Sequence, residues 1–174
     1  MGRKVGIIGF GSMGGMIARK MVETGLVAPE NLRIANRTPE RVAFFADAHP
    51  GIGFSGSNRE VASFADILFL CVKPADMKGV LDEICGVLDP ATHIVSINAS
   101  VMFAQLESAC PGMAMTKCVP SVTAEVGESV TLVCHNAFVP DRSRSEVRSL
   151  LTALGTVEEF LAWQEAAGEV AFPS

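Results

Sequence analysis

In the run GFGSMG, Gly9, Gly11 and Gly14 stand in GxGxxG spacing. In that pattern the first glycine makes a tight turn, the second lets the backbone approach a pyrophosphate, and the third allows a helix to pack closely on a strand. The first turn of the helix then points unpaired N–H groups at the anion. A flexible glycine turn would have the same composition. Context favours the dinucleotide reading: the short apolar run Lys4–Ile8 precedes the loop, and Met13, Met16, Ile17 and Met21 follow it at helical spacing.

A second set, in NRTPER, follows the apolar run Leu32–Ala35. NAD sites commonly place an Asp or Glu there to hold the ribose 2′-hydroxyl. Asn36 stands there instead, removing repulsion toward a 2′-phosphate, and Arg37 offers a planar, always charged donor fork beside Thr38 and Arg41. The set favours NADP(H) over NAD(H); on the alternative reading Asn36 only starts a turn and both arginines are solvated. In CVKPAD, Lys73 can serve a ribose hydroxyl or a phosphate, and Pro74 suits the first position of a helix. A plain proline-started helix with an exposed lysine fits that stretch equally well. The last stretch, TKCVPSVTAEVG, begins as a buried strand and breaks at Pro120, just before Ser121.

The elements that must position these residues alternate regularly. Strands are expected at Lys4–Ile8, Leu32–Ala35, Gly53–Phe54, in DILFLCV, in HIVSI, near Met113–Val119 and in SVTLVCH. Helices are expected from Ser12, from Thr38 as N-cap with Pro39 first, from a Ser57/Glu60 capping box, from Pro74, around Phe103–Ala109, and from a Ser143/Glu146 capping box to a C-cap at Gly155. Alternation of this kind gives an α/β, doubly wound, mostly parallel sheet. Its ligand crevice lies at the carboxyl ends of the strands, so the loops after Ile8, Ala35, Val72, Ile97 and Val119 should converge there.

Composition narrows the partners. With 174 residues, one well-packed domain is expected, and 49% hydrophobic against 19% charged residues excludes a disordered chain. A formal charge of -5 gives no general attraction to nucleic acid or anionic lipid, so a small-molecule partner is expected. No run of about 18 apolar residues could cross a bilayer. The five cysteines show no metal-type or redox-type spacing, and Cys71, Cys118 and Cys134 sit in apolar runs, which implies a reduced, cytoplasmic protein. His49, His93 and His135 are far apart in sequence, and no metal site is expected.

The segments VGIIGFGSMG, NRTPER, SNREVASFADILFLCVKP, IVSINAS, CVPSVTAEVGESVT and LLTALGTVEEF, in this order and spacing, resemble the N-terminal domain of the pyrroline-5-carboxylate reductase family and of its late-competence relatives. The resemblance covers Val5 to Phe160 and implies a Rossmann-type NAD(P)-binding domain over residues 1–160. Residues 161–174 would be a tail or the start of the family's helical dimerisation domain, which would otherwise be absent. It implies that Gly9, Phe10, Gly11, Ser12, Met13 and Gly14 hold the pyrophosphate. Asn36, Arg37 and Thr38 would hold the adenosine ribose and its phosphate, and Asn58 another cofactor group. Val72, Lys73, Pro74 and Ala99 would lie along the nicotinamide half. By the same resemblance the full-length protein is an NADP(H)-dependent reductase of a cyclic imino acid, a homodimer or higher, and this chain alone binds cofactor with little or no turnover. Family reductases typically carry Met-Pro-Asn where this chain has Val119, Pro120 and Ser121, so the substrate side, with Pro120 and Ser121 as its candidates, departs from the pattern. A non-catalytic dinucleotide-binding relative and a reductase of another substrate, such as a deazaflavin cofactor, remain open.

Overall fold

Ile67–Leu70 (β4), the unbroken apolar ILFL, is buried at all four positions, as a strand covered on both faces requires. The computed structural model describes residues 2–121 and 129–160. Among them β4 is joined by β1 (Val5–Ile8), β2 (Leu32–Ala35), β3 (Gly53–Ser55), β5 (His93–Ser96), β6 (Ala114–Val119), β7 (Ser129–His135) and β8 (Gly155–Glu159). The sheet order is β3-β2-β1-β4-β5-β6-β7-β8. Neighbours run parallel except β6 and β7, which pair antiparallel with Thr116 opposite His135.

Among the described residues six α-helices cover the two faces: α1 (Ser12–Glu23), α2 (Pro39–Ala48), α3 (Asn58–Phe64), α4 (Pro74–Ile84), α5 (Phe103–Ala109) and α6 (Asp141–Leu151). Met16, Ile17 and Met21 of α1, Val42 and Phe45 of α2, and Val147, Leu150 and Leu151 of α6 join one apolar cluster with Ile7, Ile34 and Phe69 of the sheet. On the other face Val61 of α3, Met77, Leu81 and Ile84 of α4, and Phe103 and Leu106 of α5 pack on Ile8, Leu68, Leu70 and Ile94. Alternate residues of the same strands therefore feed two cores, which is the doubly wound arrangement expected from the strand and helix alternation.

Three local expectations change. Ser57 caps α3 through Glu60 N–H at 3.4 Å, but the Glu60 carboxylate accepts from Ser55 Oγ instead of closing a capping box. Thr38 stands at the N-cap of α2 with Pro39 after it, yet its side chain caps nothing; its carbonyl accepts from Asn36 Nδ2 and from Arg41 N–H instead. Helix α6 starts at Asp141 behind Pro140, not at a Ser143/Glu146 box, since Glu146 is taken by Arg3 and Arg142. Gly155 does end the last helical turn, at φ 131°.

The cysteine expectation is corrected as well. Cys85, in the 3-10 turn after α4, and Cys110, the C-cap of α5, form a disulfide with Cα atoms 5.5 Å apart. Their separation of 25 residues has no local signature; the ends of two helices packed on the same face bring them together. Cys71, Cys118 and Cys134 are outside the disulfide, and burial pushes Cys118 up to about 12 and Cys71 well above its usual value. No described helix is long and apolar enough to cross a membrane. The expected tail at 161–174 lies outside the described residues.

Candidate functional site

The strand order reverses direction between β1 and β4, and their carboxyl ends open the crevice that a doubly wound sheet offers to ligands. Gly9 follows β1 at φ 98°, a conformation side chains rarely adopt, and its N–H donates to Ala35 O of β2 at 2.9 Å. Cys71 N–H donates to Ile8 O at 2.8 Å, so the loops after β1, β2 and β4 are tied together. A Cβ on Gly14 would collide with Gly9 O, which is the close approach of helix to loop that the third glycine permits. A Cβ on Gly11 would meet nothing within 4 Å, because that position faces the open crevice. Gly11 is also the N-cap of α1, and no side chain caps that helix, leaving its first N–H groups available to an anion.

The crevice has a volume of about 490 Å³. Gly9, Gly11, Asn36, Arg37, Thr38, Asn58, Val72 and Lys73 all line it, as do Arg41, Cys71, Asp76, Gly79 and Glu83. Asn36 serves as a bracket: its Oδ1 accepts from Phe10 N–H at 3.1 Å and its Nδ2 donates to Thr38 O at 2.8 Å. It locks the glycine loop to the β2–α2 loop, and one amide hydrogen is left for a ligand. Phe10 is thereby engaged through its backbone, while its ring packs on Phe45 at 5.3 Å. Ser12, Met13 and Gly14 form the first turn of α1 and do not line the cavity.

The charges at the rim are mixed. Arg37, 85% exposed, pairs with Asp76 of α4 at 3.1 Å, bridging the mouth of the crevice. Asn58 Nδ2 donates to Glu83 Oε2 at 2.8 Å, and Arg59 Nη1 to Glu83 O at 3.0 Å. Cationic Arg37, Arg41 and Lys73 thus share the crevice lining with the carboxylates of Asp76 and Glu83. Asp76 and Glu83 were missed in the sequence. A signal existed: positions 76, 79, 80 and 83 recur at helical spacing and put Asp76, Gly79, Val80 and Glu83 on one face of α4.

The remaining sequence candidates lie elsewhere. Pro74 starts α4 and borders a separate groove between α4 and α5. Ala99 sits in the β5–α5 loop, where its carbonyl accepts from Lys117 Nζ of β6 at 3.1 Å. Pro120 is buried and Ser121 half-buried just past the end of β6, on the sheet edge that carries the crevice. Residues 122–128 of the TKCVPSVTAEVG stretch lie outside the described residues.

Comparison with known proteins agrees with the fold. Residues 4–100 match the family model described as NADP oxidoreductase, coenzyme F420-dependent. Over 159 residues the chain is 34% identical to pyrroline-5-carboxylate reductase of Escherichia coli, covering 91% of this chain and 59% of that protein. ComE operon protein 4 of Bacillus subtilis is 27% identical, over 85% of this chain and 54% of its own. Among solved structures, a pyrroline-5-carboxylate reductase from Coxiella burnetii superimposes with a TM-score of 0.88 at 22% identity, covering 93% of this chain and 60% of that one. The Plasmodium falciparum pyrroline carboxylate reductase, solved with NADP bound, gives a TM-score of 0.81 at 23% identity, covering 91% and 58%. The chain therefore spans about three-fifths of the length of the reductases it matches.

Proposed function

Because the chain belongs to the NADP oxidoreductase, coenzyme F420-dependent, family and is similar over nine-tenths of its length to pyrroline-5-carboxylate reductases, we propose that it is the NADP(H)-binding part of a reductase of that type. The substrate on this reading is a cyclic imino acid, reduced at its C=N carbon, and the full-length protein is a cytoplasmic homodimer or larger. The observation that carries the reading is the Asn36 bracket. It leaves no carboxylate at the end of β2 and brings Arg37 to the ribose end of a crevice whose centre is the bare backbone of Gly11.

The chemistry supplied by the bound dinucleotide is hydride donation. The residues of this chain bind and orient. Gly11 and the first turn of α1 receive the pyrophosphate, Arg37 with Arg41 and Thr38 receives the 2′-phosphate, and Val72 and Lys73 border the opposite half. Little or no turnover is expected from the chain by itself, since the carboxylates among the described residues of the crevice, Asp76 and Glu83, are engaged with Arg37 and Asn58. A second reading, a dinucleotide-binding protein without this activity, is favoured by Ser121 in the substrate-side loop and by the similarity to ComE operon protein 4. The family description also keeps a deazaflavin substrate in view.

Titration of the chain with NADPH and NADH tests the cofactor preference. NADPH should bind roughly tenfold or more tightly, and Arg37→Ala should remove that advantage while leaving NADH unchanged, as loss of one charge-assisted phosphate contact predicts. Equal affinities, or an unaltered NADPH affinity in Arg37→Ala, would refute it. Substrate-dependent NADPH oxidation by the full-length protein separates the reductase from the non-catalytic reading.

A further inference from the structure

Lys117 is 0% exposed, on a central strand between β5 and β7. Lysine is almost never fully buried without a partner that justifies the lost hydration. It shares with Met115 the face covered by α4 and α5, and its ammonium lies 5.9 Å from the centre of the Phe103 ring at the start of α5. From there Nζ donates to Ala99 O at 3.1 Å. The loop it grips is folded on itself by Asn98, whose Oδ1 accepts from Ser100 N–H at 3.1 Å and Ser100 Oγ at 2.9 Å. Burial pushes the ammonium down to about 8, so the charge is held at a cost that a methionine of similar shape would not incur.

The position of that loop gives the lysine a use. A dinucleotide with its pyrophosphate at Gly11 and its adenosine toward Asn36 and Arg37, beyond β2, must extend its other half the opposite way along the sheet edge. That direction crosses the carboxyl ends of β4, β5 and β6 in turn, and the loop after β5 carries Ala99. We propose that Lys117 is a positioning residue: by holding the Ala99 carbonyl from beneath, it fixes the loop against which the nicotinamide half of the cofactor is received. This rests on the reading that the crevice binds NADP(H).

Two ligands divide the claim, NADPH and 2′,5′-ADP, which represents the adenosine half alone. In the full chain, Lys117→Met should bind 2′,5′-ADP like the wild type but NADPH roughly tenfold more weakly, as loss of the buried charge-assisted hydrogen bond to Ala99 O predicts. It should also shift the fluorescence of bound NADPH, and Lys117→Arg, keeping charge and donors, should recover most of both. If Lys117→Met does not fold, the neutral Lys117→Gln is measured against the same pair. Equal weakening of both ligands would make Lys117 a merely structural residue and overturn the proposal, as would no change in either. A wild type that binds 2′,5′-ADP no better than 5′-AMP overturns the NADP(H) reading itself while the NADPH and fluorescence comparison still judges Lys117. A wild type that binds no nucleotide overturns both.

Discussion

Gly11 and Gly14 are both glycines of one loop, but they are required for opposite reasons. Gly14 is needed by the fold: any Cβ there runs into the carbonyl of Gly9, a backbone atom that cannot move aside cheaply. Gly11 is needed by the ligand: it has extended backbone at φ −82°, and nothing lies within 4 Å of an added Cβ. Gly11→Val should therefore melt within a degree or two of the wild type, yet lose at least about tenfold in NADPH affinity. Gly14→Ala should lower the melting temperature clearly. Thermal melts paired with cofactor titration check this, and a Gly11→Val variant that binds normally would remove Gly11 from the site. The spacing of the glycines made this division of labour legible in the sequence, because the tight turn and the close packing are backbone requirements. The double bond-making of Asn36 was not legible, since it depends on where Phe10 N–H lies across two loops.

At the scale of elements, the strands and helices were read from apolar runs and 3.6-residue stripes, and those signals are local, so they carried through. What escaped lies between elements. The acidic face of α4 reaches the crevice only because α3 and α4 flank it, and the Cys85–Cys110 link exists only because α4 and α5 end side by side. Closing a loop of this length restricts the unfolded chain by about 3 kcal/mol on a chain-entropy model. Thiol titration of the denatured, unreduced chain should find three reactive cysteines, Cys71, Cys118 and Cys134, and five after reduction. Reduction, or Cys110→Ser, should lower the urea midpoint accordingly. Five thiols without reductant would show the link unformed, and in a reducing compartment the same experiment reports how much stability the protein loses there.

Across the whole molecule, three residues from separate segments meet on the sheet face under α6, away from the crevice. His93 Nε2 lies 2.6 Å from Thr116 Oγ1, which lies 2.7 Å from His135 Nδ1, and His135 Nε2 lies 3.5 Å from Glu159, itself 3.8 Å from Arg144. His93 Nδ1 is buried with no hydrogen-bond partner among the described residues. A proton there would be an orphan donor, so the neutral arrangement follows: His93 Nε2–H donates to Thr116 and the Thr116 hydroxyl to His135 Nδ1, which leaves the His135 proton on Nε2, on the side of Glu159. Only the antiparallel register of β6 with β7 places Thr116 opposite His135, which is why spacing could not disclose it. Burial first, then the charge of His135, push His93 down to about 4, against an opposing pull from Glu146; burial lowers His135 as well. The folded value lies below the unfolded 6.5, so the unfolded chain binds the extra proton between pH 6.5 and 4. Stability is full above 6.5 and falls as the pH drops through that window, by about 3 kcal/mol from His93 alone, with His135 adding in the same direction. Urea midpoints measured from pH 8 to pH 4 should show this decline, and His93→Leu should remove most of it while leaving NADPH binding at pH 8 unchanged. An undiminished decline in His93→Leu would place the acid sensitivity elsewhere.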